Sequence, residues 1–227
     1  CSRFRPQELV QVLGQWPNGM RLVRTRYAYG WITRDAPLSP PIPAEKRDAF
    51  LNGPWAMATG AVALGGAGDV SVPLGTRVPI STANEDGTQV QVHYGTANGF
   101  KVSAPISKDT LTPTARPLTR RSFLEAAFRY LDFPYGLGGY KNGRDCSRFI
   151  MDALGSFGLQ LPRHSLGQSS AGTFKIDVSK VKSDRERTLL IDAAARRGLV
   201  LLHFPGHIMV YLGRTEDGTP MAIHAFA

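Results

Sequence analysis

The chain has 227 residues, 42% hydrophobic and 9% aromatic, with a formal net charge of +9. That length and apolar content can build one large domain or two to three small ones, and they exclude a disordered chain. Its only two cysteines, Cys1 and Cys146, exclude a disulfide scaffold and leave Cys146 as a free thiol. The positive charge raises nucleic acid, anionic membrane surfaces and anionic wall polymers as partners. The basic residues are scattered, however, with no run of five like charges, and no nucleic-acid motif is present, so no nucleic-acid partner is expected. Arg120-Arg121 and Arg196-Arg197 read as solvated helix ends. No stretch approaches the ~18 to 20 unbroken apolar residues of a spanning helix. The chain opens directly at Cys1, without initiator methionine or signal peptide. Cys1 is therefore either a candidate lipid anchor of a mature lipoprotein or the edge of a partial chain, and the second is the expectation.

The first third reads as strands and turns: Leu9 to Leu13, Met20 to Thr25 and Tyr27 to Thr33, with a turn at Pro17-Asn18-Gly19. The run Leu38-Ser39-Pro40-Pro41-Ile42-Pro43 cannot continue a sheet or helix and marks a boundary near residue 44. A short helix over Ala44 to Leu51 follows. Strand signals return at Val62 to Leu64, Thr76 to Ile80, Thr88 to Tyr94 and Gly99 to Val102. In Gln89-Val90-Gln91-Val92-His93-Tyr94 polar and apolar residues alternate, as in a strand with one wet face. Two small β modules in tandem, residues 1–44 and 45–113, fit this region. A second linker spans Thr110 to Pro117, and the chain is expected to end by 227 without completing its last sheet.

From residue 114 the period becomes helical. Phe123, Leu124, Ala127, Phe128 and Leu131 share one face, and Phe149, Ile150, Ala153, Leu154 and Phe157 another. Ser183-Asp184-Arg185-Glu186 is a capping box opening a helix to Arg197. Strands then follow at Leu199 to Phe204, His207 to Leu212 and Met221 to Phe226, with a turn at Glu216-Asp217-Gly218. Helices first and strands after predict an α+β domain over 114–227.

Cys146 lies between a glycine-rich turn and the amphipathic run beginning at Arg148, with Asp145 placed as N-cap. A helix N-terminus favours the thiolate, so Cys146 is a candidate nucleophile; a small apolar residue in the core is the alternative. A thiol nucleophile needs a base and a group to orient that base. His207 and His224, on two strands of one hairpin, can meet across it. His203 and His207 have a spacing compatible with zinc, but the cysteine is distant in sequence, so no metal site is expected.

Pro134-Tyr135-Gly136-Leu137-Gly138-Gly139, Asp145-Cys146-Ser147, Leu161-Pro162-Arg163-His164-Ser165-Leu166-Gly167-Gln168 and Gly206-His207-Ile208-Met209-Val210-Tyr211-Leu212-Gly213 resemble, in this order, the signatures of NlpC-type cysteine peptidases. The first third, with Val23-Arg24-Thr25 and Tyr29-Gly30-Trp31-Ile32, resembles bacterial SH3-like modules, which precede the peptidase in some members. The resemblance implies a papain-like α+β fold behind small all-β modules. It implies an endopeptidase of peptidoglycan stem peptides, cutting the γ-D-glutamyl–diamino acid bond with Cys146, His207 and His224 and no cofactor. It further implies substrate contacts from Asp145, Ser147 and Ser165, with Asp145 receiving the free α-amine of the stem peptide, and from Tyr27 or Tyr29 of the first module. Leu137 departs from a common tryptophan and Arg148 from a common glycine. Arg148 would favour the thiolate if it pointed inward. The expected partner is peptidoglycan, the expected state a monomer, and the expected place the cell envelope, periplasmic or secreted, with a cytoplasmic recycling role as alternative. A non-catalytic wall-binding protein and a thiol amidase or acyltransferase remain competing readings.

Overall fold

The computed structural model describes residues 2–66, 70–114 and 117–226; Cys1, the candidate anchor, lies outside them, as do two residues of the second linker. Chain contacts divide the molecule into two compact units, one of residues 4–117 with 155–159 and one of residues 1–3, 118–154 and 160–227.

In the first unit β1 (Gln11–Gln15), β2 (Arg21–Arg24) and β3 (Tyr29–Ile32) form an antiparallel meander. The Pro-rich run after β3 carries no strand, and a 3₁₀ turn (Ala44–Lys46) leads into α1 (Arg47–Leu51), where a short helix is expected. The remaining strands are β4 (Trp55–Ala58), β5 (Val62–Ala63), β6 (Ser71–Val72), β7 (Arg77–Ala83), β8 (Gln89–Thr96), β9 (Gly99–Val102), β10 (Ile106–Ser107) and β11 (Leu111–Pro113). They pair in the order β10-β8-β7-β4-β11, with β9 also on β8 and β5 paired separately with β6. Val78, Val90, Val92 and Leu111 are among the fully buried side chains of this core. Along β8 the alternation holds: Val90, Val92 and Tyr94 are buried while Gln89 is exposed.

Three features differ from expectation. Leu111–Pro113, read as linker, pairs with β4; β11 ends the pairing order, an edge where proline's missing N–H does no harm. The central β4 has no strand signal because it contains two alanines and buries Ala56, Met57 and Ala58 without alternation. Among the described residues no pairing of β10 with β11 closes the order, so the closed barrels expected of SH3-like modules are not seen, and both expected modules lie within one compact unit.

The second unit runs helix first. Thr119 and Ser122 form a reciprocal capping box that opens α2 (Arg120–Phe128). Phe123, Ala126 and Ala127 are buried, but Phe128 is exposed at the helix end, and Leu131 is exposed because the helix stops before it can join the apolar face. A 3₁₀ segment (Leu137–Asn142) precedes α3 (Cys146–Gly155). All ten residues of α3 are buried, rather than one face only. Next come α4 (Ser165–Gln168) and α5 (Asp184–Ala195), the latter capped by Ser183. An antiparallel sheet ends the unit, ordered β12 (Val200–Phe204), β13 (His207–Arg214), β14 (Pro220–Ile223). Asp192 of α5 accepts hydrogen bonds from Tyr211 and Arg214, tying that helix to β13. The second unit is thus α+β, as the chain order predicts.

Candidate active site

Cys146 is the first residue of α3, a free thiol only 7% exposed. Its approach is held by glycine. The N–H of Gly136 donates to the carbonyl of Arg144 and the N–H of Arg144 to that of Pro134, each at 3.2 Å, making a parallel bridge between residues 135 and 144. A Cβ on Gly136 would lie 2.3 Å from the Tyr140 carbonyl, and one on Gly143 2.7 Å from Pro134, so neither position admits a larger residue without backbone movement.

Asp145 is 6% exposed and caps α3, its Oδ1 accepting from the Arg148 N–H at 2.8 Å. The same carboxylate accepts from the Gly138 N–H at 2.9 Å, from the Ser147 hydroxyl at 3.1 Å, and from both terminal nitrogens of Arg163 at 3.0 and 2.7 Å. Burial alone would raise its pKa. The Arg163 hydrogen bonds and charge, with the two backbone N–H groups, outweigh that and hold it below the ordinary aspartate value.

His207 and His224 are brought together, with Nε2 of the first 3.0 Å from Nδ1 of the second. The pairing is diagonal. Extending the Val210–Ile223 register by three residues sets Phe226 opposite His207, and His224 lies just past the end of β14. The rings reach each other because they meet edge to face, centroids 5.0 Å apart. Phe204, the cross-strand partner of His207, and Phe226 bring their rings within 5.2 and 5.5 Å of the imidazole. Burial, and secondarily the charge of His224, lower the His207 pKa. Near neutral pH His207 is therefore an uncharged imidazole able to take a proton. If Nε2 carries the hydrogen, donating it to His224, Nδ1 is the basic atom.

Ser147 is buried beside Asp145 and also accepts from Arg163 Nη1 at 3.0 Å. Ser165 opens α4 and is half-buried. Tyr27 and Tyr29 belong to the first unit: the Tyr27 hydroxyl donates to Glu8 at 3.1 Å, and Tyr29 lies on β3, 82% exposed. His203 pairs with Ile208 in the sheet, half-buried, and His164 is an exposed N-cap. Among the described residues no three His, Cys, Asp or Glu side chains gather as metal ligands would.

The two departures have separate outcomes. Leu137 is largely exposed. Arg148 is buried, and its Nε donates to Asp152, one turn further along α3, at 3.0 Å. Asp152 also accepts from Arg144 at 2.9 Å, and the Arg144 guanidinium lies over the ring of Tyr130 at 4.4 Å.

Three residues escape sequence reasoning as site members. Arg163 and Gln168 stand in a motif quoted above, but nothing in their spacing says that they reach α3. Gln168 is fully buried and donates to the carbonyls of Ser147 and Pro162. Tyr135 is the third: burial, then the charges of Asp145 and Cys146, raise its phenol pKa.

Residues 132–226 match the NlpC/P60 family, an interval that contains Cys146, His207 and His224. The fold resembles an NlpC/P60 endopeptidase from Photobacterium damselae subsp. piscicida at 16% identity and TM-score 0.68, covering 95% of this chain and 50% of that one. It also resembles an NlpC/P60 family protein from Bacillus cereus ATCC 10987 at 18% identity and TM-score 0.61, covering 96% of this chain and 74% of that one. The chain thus spans about half the length of the first of these proteins. A search of curated proteins found no match.

Proposed function

We propose that this chain is a cysteine endopeptidase of bacterial cell-wall peptides that hydrolyses the γ-D-glutamyl–diamino acid bond of peptidoglycan stem peptides in the cell envelope. The observation that carries the reading is the His207–His224 contact at 3.0 Å in the same compact unit as Cys146, a buried thiol on the first residue of α3. The family of residues 132–226 and the peptidase fold support it.

The Cys146 sulfur, its proton transferred to His207, attacks the γ-glutamyl carbonyl carbon and forms a tetrahedral oxyanion. Backbone N–H groups at the start of α3 are suited to stabilise that charge. The intermediate collapses with cleavage of the C–N bond, and His207 gives its proton to the departing amine. Water, deprotonated by His207, then releases the γ-glutamyl product from the thioester and restores the thiol. His224 orients the imidazole and shares the charge of the imidazolium. On this reading the open β-sheets of the first unit are SH3-like modules.

The test is hydrolysis of L-Ala-γ-D-Glu-diaminopimelate followed by mass spectrometry. Release of free diaminopimelate by the wild-type chain and not by Cys146→Ala is expected. Equal hydrolysis by both proteins would sink the mechanism.

A further inference from the structure

Cys146 sits inside a polar clamp anchored outside its own helix. Arg163, on the loop before α4, places Nη1 3.0 Å from Asp145 Oδ1 and Nη2 2.7 Å from Oδ2, and Nη1 also reaches the Ser147 hydroxyl. Both partners are chain neighbours of the thiol. Gln168, from the same loop and helix, donates 2.8 Å to the Ser147 carbonyl, while the next N–H along, that of Arg148, is bound by Asp145. The 147–148 peptide is thus gripped on both sides. A bidentate guanidinium–carboxylate pair fixes direction as well as distance, and this one is buried at both ends.

The Asp145 carboxylate is also full. It has about four lone-pair sites, and the structure directs five donors onto them: two from Arg163, two backbone N–H groups and the Ser147 hydroxyl. Its charge is matched by the guanidinium beside it.

We infer that Arg163 is a positioning residue for Cys146, acting through Asp145 and Ser147, and that Asp145 serves this clamp instead of receiving the substrate's α-amine. The second half rests on the peptidase reading above; the first does not. Stem peptides with an acylated amine then lose nothing at Asp145 relative to those with a free one.

The experiment has two arms. In the first, iodoacetamide alkylation of Cys146, followed on its own peptide by mass spectrometry across pH, is compared in wild type, Arg163→Lys, Asp145→Asn and the double variant. Each single variant should slow alkylation by about threefold to tenfold, because a thiol displaced from the helix start loses stabilisation of its thiolate. The double variant should be no slower than either, because both act on one clamp. Wild-type rates and pH profiles in the single variants would overturn the positioning role. Should Asp145→Asn fail to fold, Ser147→Ala, which removes one Arg163 acceptor, takes its place. In the second arm, L-Ala-γ-D-Glu-diaminopimelate and its N-acetyl form are hydrolysed by wild type and Asp145→Asn. The free-to-acetylated ratio of kcat/KM should be the same in both proteins. A tenfold selective loss on the free-amine peptide in Asp145→Asn would restore the amine contact. Hydrolysis of neither peptide by wild type would sink the peptidase reading, while the alkylation rates still decide the role of Arg163.

Discussion

Nε2 of His207 lies 3.0 Å from Nδ1 of His224, and the rings stand nearly perpendicular, 83° apart. One nitrogen of His207 is committed to its neighbour, so the other is the atom available to chemistry. His224→Asn is expected to lower kcat by about 10²-fold or more, the range attributed to a positioned general base, with little change in KM. Steady-state kinetics on the stem tripeptide reads both constants, and an unchanged kcat would remove His224 from the mechanism.

The pH dependence follows from the same pair. A free imidazole titrates near 6.5, and burial and the His224 charge hold His207 below that in the folded chain. The acidic limb of the kcat/KM profile should therefore fall below 6.5. Between the folded and unfolded values the unfolded chain binds the extra proton, so the contribution to stability rises with pH across that window and is lowest beneath it. Denaturant unfolding of wild type and His207→Gln between pH 5 and 7 would show the slope flatten in the variant.

The buried Asp145–Arg163 pair loses stability on acidification in the same direction, in a more acidic window. Its carboxyl is held below the ordinary aspartate value, so its stabilisation is fully present above about 3.9 and is lost as pH falls through the folded pKa. Asp145→Asn leaves a buried guanidinium without its counter-charge, and a loss of about 3–5 kcal/mol is expected. Urea titration at neutral pH measures it.

Asp152 compensates two buried arginines at once. Asp152→Asn should cost at least about 3 kcal/mol, whereas Arg148→Met, which leaves Arg144 on the carboxylate and keeps an apolar stem in the core, should cost markedly less. Equal costs would mean that the two arginines do not share one counter-charge.

Tyr135 keeps its proton because burial, and then the charges of Asp145 and Cys146, raise its pKa. A phenol that stays protonated can donate to developing negative charge. Tyr135→Phe should lower kcat by about tenfold or more with the fold intact, and near-UV circular dichroism alongside kinetics separates the two effects.

Local order is where the sequence was sufficient. The helix cap at Asp145, the apolar periodicity from Phe149 to Phe157, the Pro-rich break before residue 44 and the hairpin of β13 and β14 are all set by neighbours within a few residues, and these elements were legible. Signals of burial on every side were not. The alanines of β4 carry no strand propensity and become central only because β7 and β11 flank them. Leu111–Pro113 reads as a linker until β4 offers it an edge. In the site, sequence places Cys146 at the start of a helix and His207 and His224 on one hairpin. It cannot say that Arg163, eighteen residues beyond Asp145, folds back onto it, or that Arg148 turns away to Asp152. Periodicity and capping are properties of contiguous chain, whereas the partner of a buried charge is chosen by whichever segment returns to that place. The sequence by itself determined the locally specified elements and where the thiol sits; only the tertiary structure decided that β4 and β11 are strands and which donors saturate the thiol's neighbour.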